Sequence, residues 1–184
     1  MRKGGMVAVA VFFVGLLVVP GTVFCKSEDA KWSVGYRYGY VNIDDADFKT
    51  DGNSHDLTVG YELTDNLAVE AQSGHYRLKT HSGTGLDVVS ALLNLQLRYP
   101  LKKFVPYLVG GLGWQFYKYG NLYVDDKKDN RSSFSYKGGA GLDYFLRDDL
   151  SLGGEISYLY GNTGGGATLD VYHWRYCVGV KYHF

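Results

Sequence analysis

The sequence predicts an all-β chain: an eight-stranded antiparallel up-and-down transmembrane β-barrel, preceded by a cleavable signal peptide. Three observations carry this reading. An apolar leader has the length used for export, eight segments alternate between bulky and small or polar residues, and the bulky set is too large to fit inside a barrel.

The leader comes first. Arg2 and Lys3 precede an apolar run from Val7 to Val19, which Pro20 and Gly21 break. A charged start followed by roughly 7–15 apolar residues is a secretory signal, whereas a spanning helix needs about 20. Residues 1–25 are assigned to the signal and 26–184 to the barrel, with cleavage after Cys25 or alternatively after Ala30. Lipidation at Cys25 is the weaker reading, because Phe24 sits where that signal wants a small residue. Cleavage after Cys25 leaves Cys177 alone and so excludes a disulfide framework. A retained Cys25 could pair with Cys177, but the spacing does not favour it. Beyond the leader no apolar segment reaches about 18 residues, so no transmembrane helix is expected.

From Lys31 onward the period is two. The first strand sets Trp32, Val34, Tyr36, Tyr38 and Tyr40 against Ser33, Gly35, Arg37 and Gly39. The second sets Leu57, Val59, Tyr61 and Leu63 against Asp56, Thr58, Gly60 and Glu62. In the third, Leu67, Val69 and Ala71 oppose Ala68, Glu70, Gln72 and Gly74. The fourth places Val89, Ala91, Leu93, Leu95, Leu97 and Tyr99 opposite Ser90, Leu92, Asn94, Gln96 and Arg98. Leu86–Leu97 could be drawn as a short amphipathic helix, but its alternation after Leu93 favours strand. The fifth opposes Leu108, Leu112, Trp114 and Phe116 to Tyr107, Gly111, Gly113 and Gln115. The sixth opposes Phe134, Tyr136, Ala140, Leu142 and Tyr144 to Ser135, Lys137, Gly139, Gly141 and Asp143. The seventh opposes Leu150, Leu152, Ile156, Tyr158 and Tyr160 to Ser151, Gly153, Glu155 and Ser157. The last opposes Tyr172, Trp174, Tyr176, Val178, Val180, Tyr182 and Phe184 to His173, Arg175, Cys177, Gly179 and Lys181.

Connections alternate in length. Short turns are expected at Thr64–Asn66, Pro100–Lys103 and Arg147–Asp149, and long polar loops at Asn42–Asn53, Lys79–Gly85, Lys118–Arg131 and Gly161–Thr168. Short periplasmic turns and longer outside loops are the topology of bacterial outer-membrane barrels, which puts both termini in the periplasm. Pro100 falls in a turn and Pro106 begins a strand, where a lost ladder bond costs least.

Alternation alone does not separate a membrane barrel from a soluble one. Volume does. The apolar set counts roughly forty positions, whereas the parallel eight-stranded case packs only about a dozen side chains inside. The opposite set, mostly Gly, Ser and Thr with scattered charges, suits a narrow lumen. The aromatics also sort by position. Trp32, Tyr61, Tyr99, Tyr144, Tyr182 and Phe184 lie toward the periplasmic rim. Tyr38, Tyr40, Trp114, Phe116, Phe134, Tyr158, Tyr160, Tyr172 and Trp174 lie toward the outer one. Two such girdles mark where headgroups meet hydrocarbon. The 25 Gly and 17 Tyr against 3 Pro fit the same picture, and 19 basic against 19 acidic residues give no argument for nucleic acid.

The most specific local pattern is at the C-terminus, where Gly179, Tyr182 and Phe184 make a Gly-x-x-aromatic-x-Phe ending. It looks like the assembly signal read by the barrel-assembly machinery: an amphipathic edge strand suited to temporary β-augmentation. Cys177 stands where that pattern usually has a polar residue. With the stretches Val105–Gly113, Gly139–Leu146 and Leu150–Glu155, the chain resembles the small eight-stranded outer-membrane proteins, including outer membrane protein W and the OmpA-type and OmpX-type barrels. The resemblance spans the mature chain and implies fold and location more than activity.

Nine inward charges are the candidate site: Arg37, Glu62, Glu70, Arg98, Lys137, Asp143, Glu155, Arg175 and Lys181. Unpaired buried charges are costly, so these should pair into a salt-bridged plug; the alternative is a gate or narrow conduit. For catalysis, the lipid A deacylase family carries a Tyr-x-His-x-Ser-Asn run on an outward strand. The nearest run here, Tyr158-Leu159-Tyr160-Gly161-Asn162, lacks both nucleophile and base. There is no room between Cys25 and Trp32 for the N-terminal amphipathic helix of the palmitoyltransferase family. The histidines at 55, 75, 81, 173 and 183 lack metal-ligand spacing, so no cofactor is expected. The charges Asp125, Asp126, Lys127, Lys128 and Asp129 read as a solvated loop face, or alternatively as a contact for divalent cations, lipopolysaccharide or a surface partner. The expectation is a monomeric, non-enzymatic outer-membrane protein in contact with outer-membrane lipid and lipopolysaccharide, with an envelope-structural or surface-interaction role. A narrow channel for small or apolar solutes, as the likeness to outer membrane protein W implies, is the alternative, and lipid A modification a third.

Overall fold

The computed structural model describes residues 31–45, 48–79, 85–119, 130–163 and 169–184. The expected signal segment, both cleavage sites, Cys25 and the charge run at 125–129 lie outside them. Eight strands follow one another: β1 Trp32–Asp45, β2 Phe48–Thr64, β3 Leu67–Lys79, β4 Gly85–Arg98, β5 Phe104–Tyr119, β6 Asn130–Arg147, β7 Leu150–Thr163 and β8 Leu169–His183. Each pairs antiparallel with the next, and β8 closes on β1. Closure is finished by Phe184 N–H donating to the Trp32 carbonyl at 2.9 Å and Trp32 N–H to the Phe184 carbonyl at 3.1 Å.

The register fixes the barrel's dimensions. Hydrogen-bonded partners run from Trp32 through Tyr61, Val69, Leu95, Gly110, Gly138, Tyr158 and Trp174, and return to β1 at Asn42. The return is displaced by ten residues, and a shear of ten over eight strands tilts them by roughly 40° around a backbone radius of about 8 Å. One residue along a strand then climbs about 2.5 Å of barrel axis, and one step to the next strand about 3 Å.

The two faces separate as the alternation requires. Outward side chains such as Leu57, Leu93, Trp114, Ile156 and Val178 are exposed, while Arg37, Thr58, Glu70, Asn94, Lys137 and Arg175 are buried. Leu86–Leu97 is strand throughout, paired with β3 and β5, so the helical alternative is overturned. Turns are short at Asp65–Asn66, Lys102–Lys103 and Asp148–Asp149. This turn end carries Trp32 on Tyr61 and Phe104 on Tyr144, each at 4.8 Å, with Tyr182 stacked on Phe184 at 6.1 Å. Tyr99 is half-buried beside them. At the opposite, loop end, Trp114 meets Phe134, and Tyr158 meets Trp174, both edge-on at 5.2 Å, and Tyr136 stacks on Tyr160. Phe104 and Trp114 are ten positions apart on β5, which is about 25 Å of axis, the height of a barrel's apolar band.

Two expectations need correcting. Asn42–Asn53 is not a loop: β1 and β2 stay paired through Asn42–Asp51 to Asp45–Phe48. The polar composition there ends the apolar alternation but not the backbone ladder. Strands likewise run on to Lys79, Tyr119 and Thr163. Nor is the interior limited to about a dozen mostly small side chains. Among the described residues 12 apolar and 22 polar or charged ones are buried, including Tyr76, Tyr107, Tyr117, Phe145 and Leu159. Strands of 13–18 residues make a longer cylinder than a short parallel barrel and so hold more layers.

Candidate functional site: the charged lumen

All nine inward charges lie in the lumen, and a tenth joins them. Asp56, buried on β2, bonds Arg175. With Asp56 the column holds five cations (Arg37, Arg98, Lys137, Arg175 and Lys181) and five anions (Asp56, Glu62, Glu70, Asp143 and Glu155). The second-strand alternation already turned Asp56 inward; its membership follows from the need to neutralise a fifth cation.

The pairs stack along the axis. At the turn end Arg98 binds Glu62, with His183 Nδ1 3.9 Å from the same carboxylate and Ser151 Oγ 2.9 Å from its Nε2. Next, Lys181 Nζ lies 2.8 Å from Asp143 and 3.7 Å from Glu70. Arg37 bridges Glu70 at 2.7 Å and Glu155 at 3.2 Å. Lys137 Nζ reaches Glu155 at 2.6 Å and the Gln72 side-chain oxygen at 2.9 Å. Asn94 donates to Gln72 at 2.9 Å and to Glu70 at 3.4 Å. Arg175 with Asp56 stands above, and the buried Cys177 thiol lies 3.9 Å from Asp56.

Small residues decide where these long side chains lie. Tyr107 lies over Gly141, where any Cβ would strike its ring, and its hydroxyl donates to Glu155 at 3.4 Å. The Lys181 ammonium stands 5.2 Å from the centre of the same ring. Above the ions comes a different layer. Val41, Tyr76, Val88 and Tyr117 form one buried cluster, with Tyr76 packed on His173 at 5.2 Å. The Tyr76 and Tyr117 hydroxyls both donate to Gln115, at 3.0 and 2.6 Å. Alternation names the face of these residues, but not that the two hydroxyls share Gln115.

This arrangement joins seven strands through charge pairs and sets the buried cluster of Val41, Tyr76, Val88 and Tyr117 above them. Its hydroxyl–imidazole contact, Ser151 on His183 with Glu62 beyond, is buried inside the barrel. The sequence matches the profile of the outer membrane protein beta-barrel domain over residues 9–184. The chain belongs to that family. Its members are bacterial outer-membrane proteins, so the exposed apolar wall faces lipid.

No curated protein matches the sequence. Among solved structures, Neisserial surface protein A is similar, with 17% identity over 83% of this chain and 97% of that one, and a TM-score of 0.68. Ail, the attachment invasion locus protein of Yersinia pestis, gives 19% identity, 84% and 97% coverage and a TM-score of 0.54. The outer membrane enzyme PagL gives 15%, 83% and 99%, and 0.54. Likeness at this level shows a shared fold, and that fold serves surface proteins and an enzyme alike.

Proposed function

We propose that this protein is a monomeric, non-enzymatic integral protein of the outer membrane, with an envelope-structural or surface-interaction role, whose barrel does not conduct. The interlocked column of five cations and five anions under an apolar cap carries the reading. A conduit needs sites that ions can enter and leave, whereas here each fixed charge is already bonded to its opposite. Short turns at one end support placing that end and both termini in the periplasm. The likeness to a surface protein and to an attachment protein supports a role at the cell surface. Against catalysis, the run Tyr158–Asn162 contains neither Ser nor His. Planar-bilayer recording of the purified barrel should show no discrete openings; regular single-channel steps would overturn the closed reading in favour of a narrow channel.

The same proposal assigns assembly to the C-terminal strand. Tyr182 and Phe184 are half exposed on the outer wall of the strand that closes the barrel. Replacing Phe184 by Ala should lower the amount of heat-modifiable barrel in outer membranes several-fold, while refolding into detergent stays close to wild type. Equal loss in both would mean that Phe184 acts on stability alone.

A further inference from the structure

The lipid-facing wall is not uniformly apolar. On β5 the outward positions run Phe104, Pro106, Leu108, Gly110, Leu112, Trp114 and Phe116 without interruption. On β3 they change after Ala71 to Ser73, His75 and Arg77, and on β2 above Leu57 to His55, Asn53 and Asp51. Converted to height, His55 and Ser73 stand about 16–18 Å above the turn-end aromatics, while the loop-end ring stands at about 20–25 Å. They are thus level with Leu112 and Tyr176, inside the apolar band. Ionisable groups facing lipid at such depth are costly and mark a functional site.

The notch is organised. His55 and His75 are register partners across β2 and β3. The Tyr36 hydroxyl is 2.7 Å from His55 Nδ1, and Tyr38 meets the same imidazole edge-on at 5.2 Å. Toward the rim, Asp87 lies 3.8 Å from His75 Nε2 and accepts from Arg77 Nε at 3.1 Å. Beside Tyr38 a cavity of about 620 Å³ is cut into the wall. Ala140 and Gly154 form its floor, Leu142, Ile156 and Tyr176 its sides, and Tyr40 and Asn53 its upper end. The Tyr40 hydroxyl donates to Asp51 at 3.2 Å. An apolar trough therefore rises obliquely from mid-barrel to a cluster of hydroxyl, imidazole, amide and carboxylate groups.

We infer that trough and notch together bind one outer-leaflet amphiphile of the acylated-saccharide class, an acyl chain in the trough and its amide and hydroxyl groups against His55, Ser73 and Asn53. The inference rests on the proposed orientation, which puts the loop end in the outer leaflet. A diacyl phospholipid offers only ester carbonyl acceptors at this depth. The Asn53 amide, the Ser73 hydroxyl and the His55 and His75 imidazoles instead suit a ligand that carries hydrogen-bond donors as well as acceptors.

The test uses the mature chain in phosphatidylcholine nanodiscs containing lipid A, with bound lipid counted by native mass spectrometry. The readout does not depend on orientation in the cell or on conductance. The wild type should retain one lipid A in preference to phosphatidylcholine. Gly154→Leu fills the trough; a Cβ there meets only the Cys177 carbonyl, at 3.8 Å, so folding is spared. That variant and the double variant His55→Leu with Ser73→Val should each lower retention about tenfold. Unboiled gel mobility checks closure, and Tyr36→Phe, which removes one hydroxyl, should lower retention in the same direction if the double variant does not fold. Undiminished retention in the folded variants, or equal retention of phosphatidylcholine by the wild type, would overturn the inference.

Discussion

Replacing Glu155 by Ala should destabilise the barrel by about 3–5 kcal/mol, among the largest effects of any single lumen substitution. Glu155 touches Lys137 at 2.6 Å, Arg37 at 3.2 Å and the Tyr107 hydroxyl at 3.4 Å. Its removal leaves two buried cations short of charge, with Glu70 the remaining carboxylate on Arg37. The penalty comes from the stranded partners more than from the attraction lost. Adding Lys137→Met should therefore restore part of the stability, because the cation leaves with its anion. Urea unfolding in phospholipid vesicles, followed by tryptophan fluorescence, measures both variants. A loss below about 1 kcal/mol for the single substitution would mean that water already screens these ions.

Val178→Arg is the second large effect. Val178 is 66% exposed on the outer wall of β8, near mid-height between the two aromatic rings. An arginine at the bilayer midplane costs about 2–4 kcal/mol, falling to about 0–1 near the interface. Leu63→Arg, exposed at the turn end, should therefore be nearly neutral. Measured in the same vesicles, the contrast between the two reports what surrounds the wall. Were it water, Val178→Arg would also fall within about 0.5 kcal/mol of wild type.

The sequence made some levels of this structure legible and left others hidden. Faces were readable because one side of every strand meets hydrocarbon: Leu93 to Leu97 alternates without a break, and each outward residue lies where that pattern puts it. Strand ends were not readable above His55, since both faces there are polar while the ladder continues through Asp51 and Lys79. Inward charge was visible at nine positions, but partners were hidden. Arg37 meets Glu70 two strands away because a shear of ten tilts every row, and no local spacing encodes that offset. The rings of Tyr76 and Tyr117 show the same limit. Tyr117 reaches Gln115 along its own face of β5, but Tyr76 comes from β3 across the intervening β4, and no local pattern marks that meeting.

The ion pairs link strands remote along the chain: β1 with β3 and β7, β2 with β8, and β6 with β8. A sheet of four or five strands keeps Arg37 from Glu155 and Asp56 from Arg175, and so carries charges toward acyl chains short of these counterions. Partly wound intermediates are thereby penalised within the hydrocarbon, so cylinder formation and passage into the bilayer are coupled as a single cooperative event. The finished barrel gains kinetic persistence from the same coupling, since no single strand can leave without exposing its neighbours' charges.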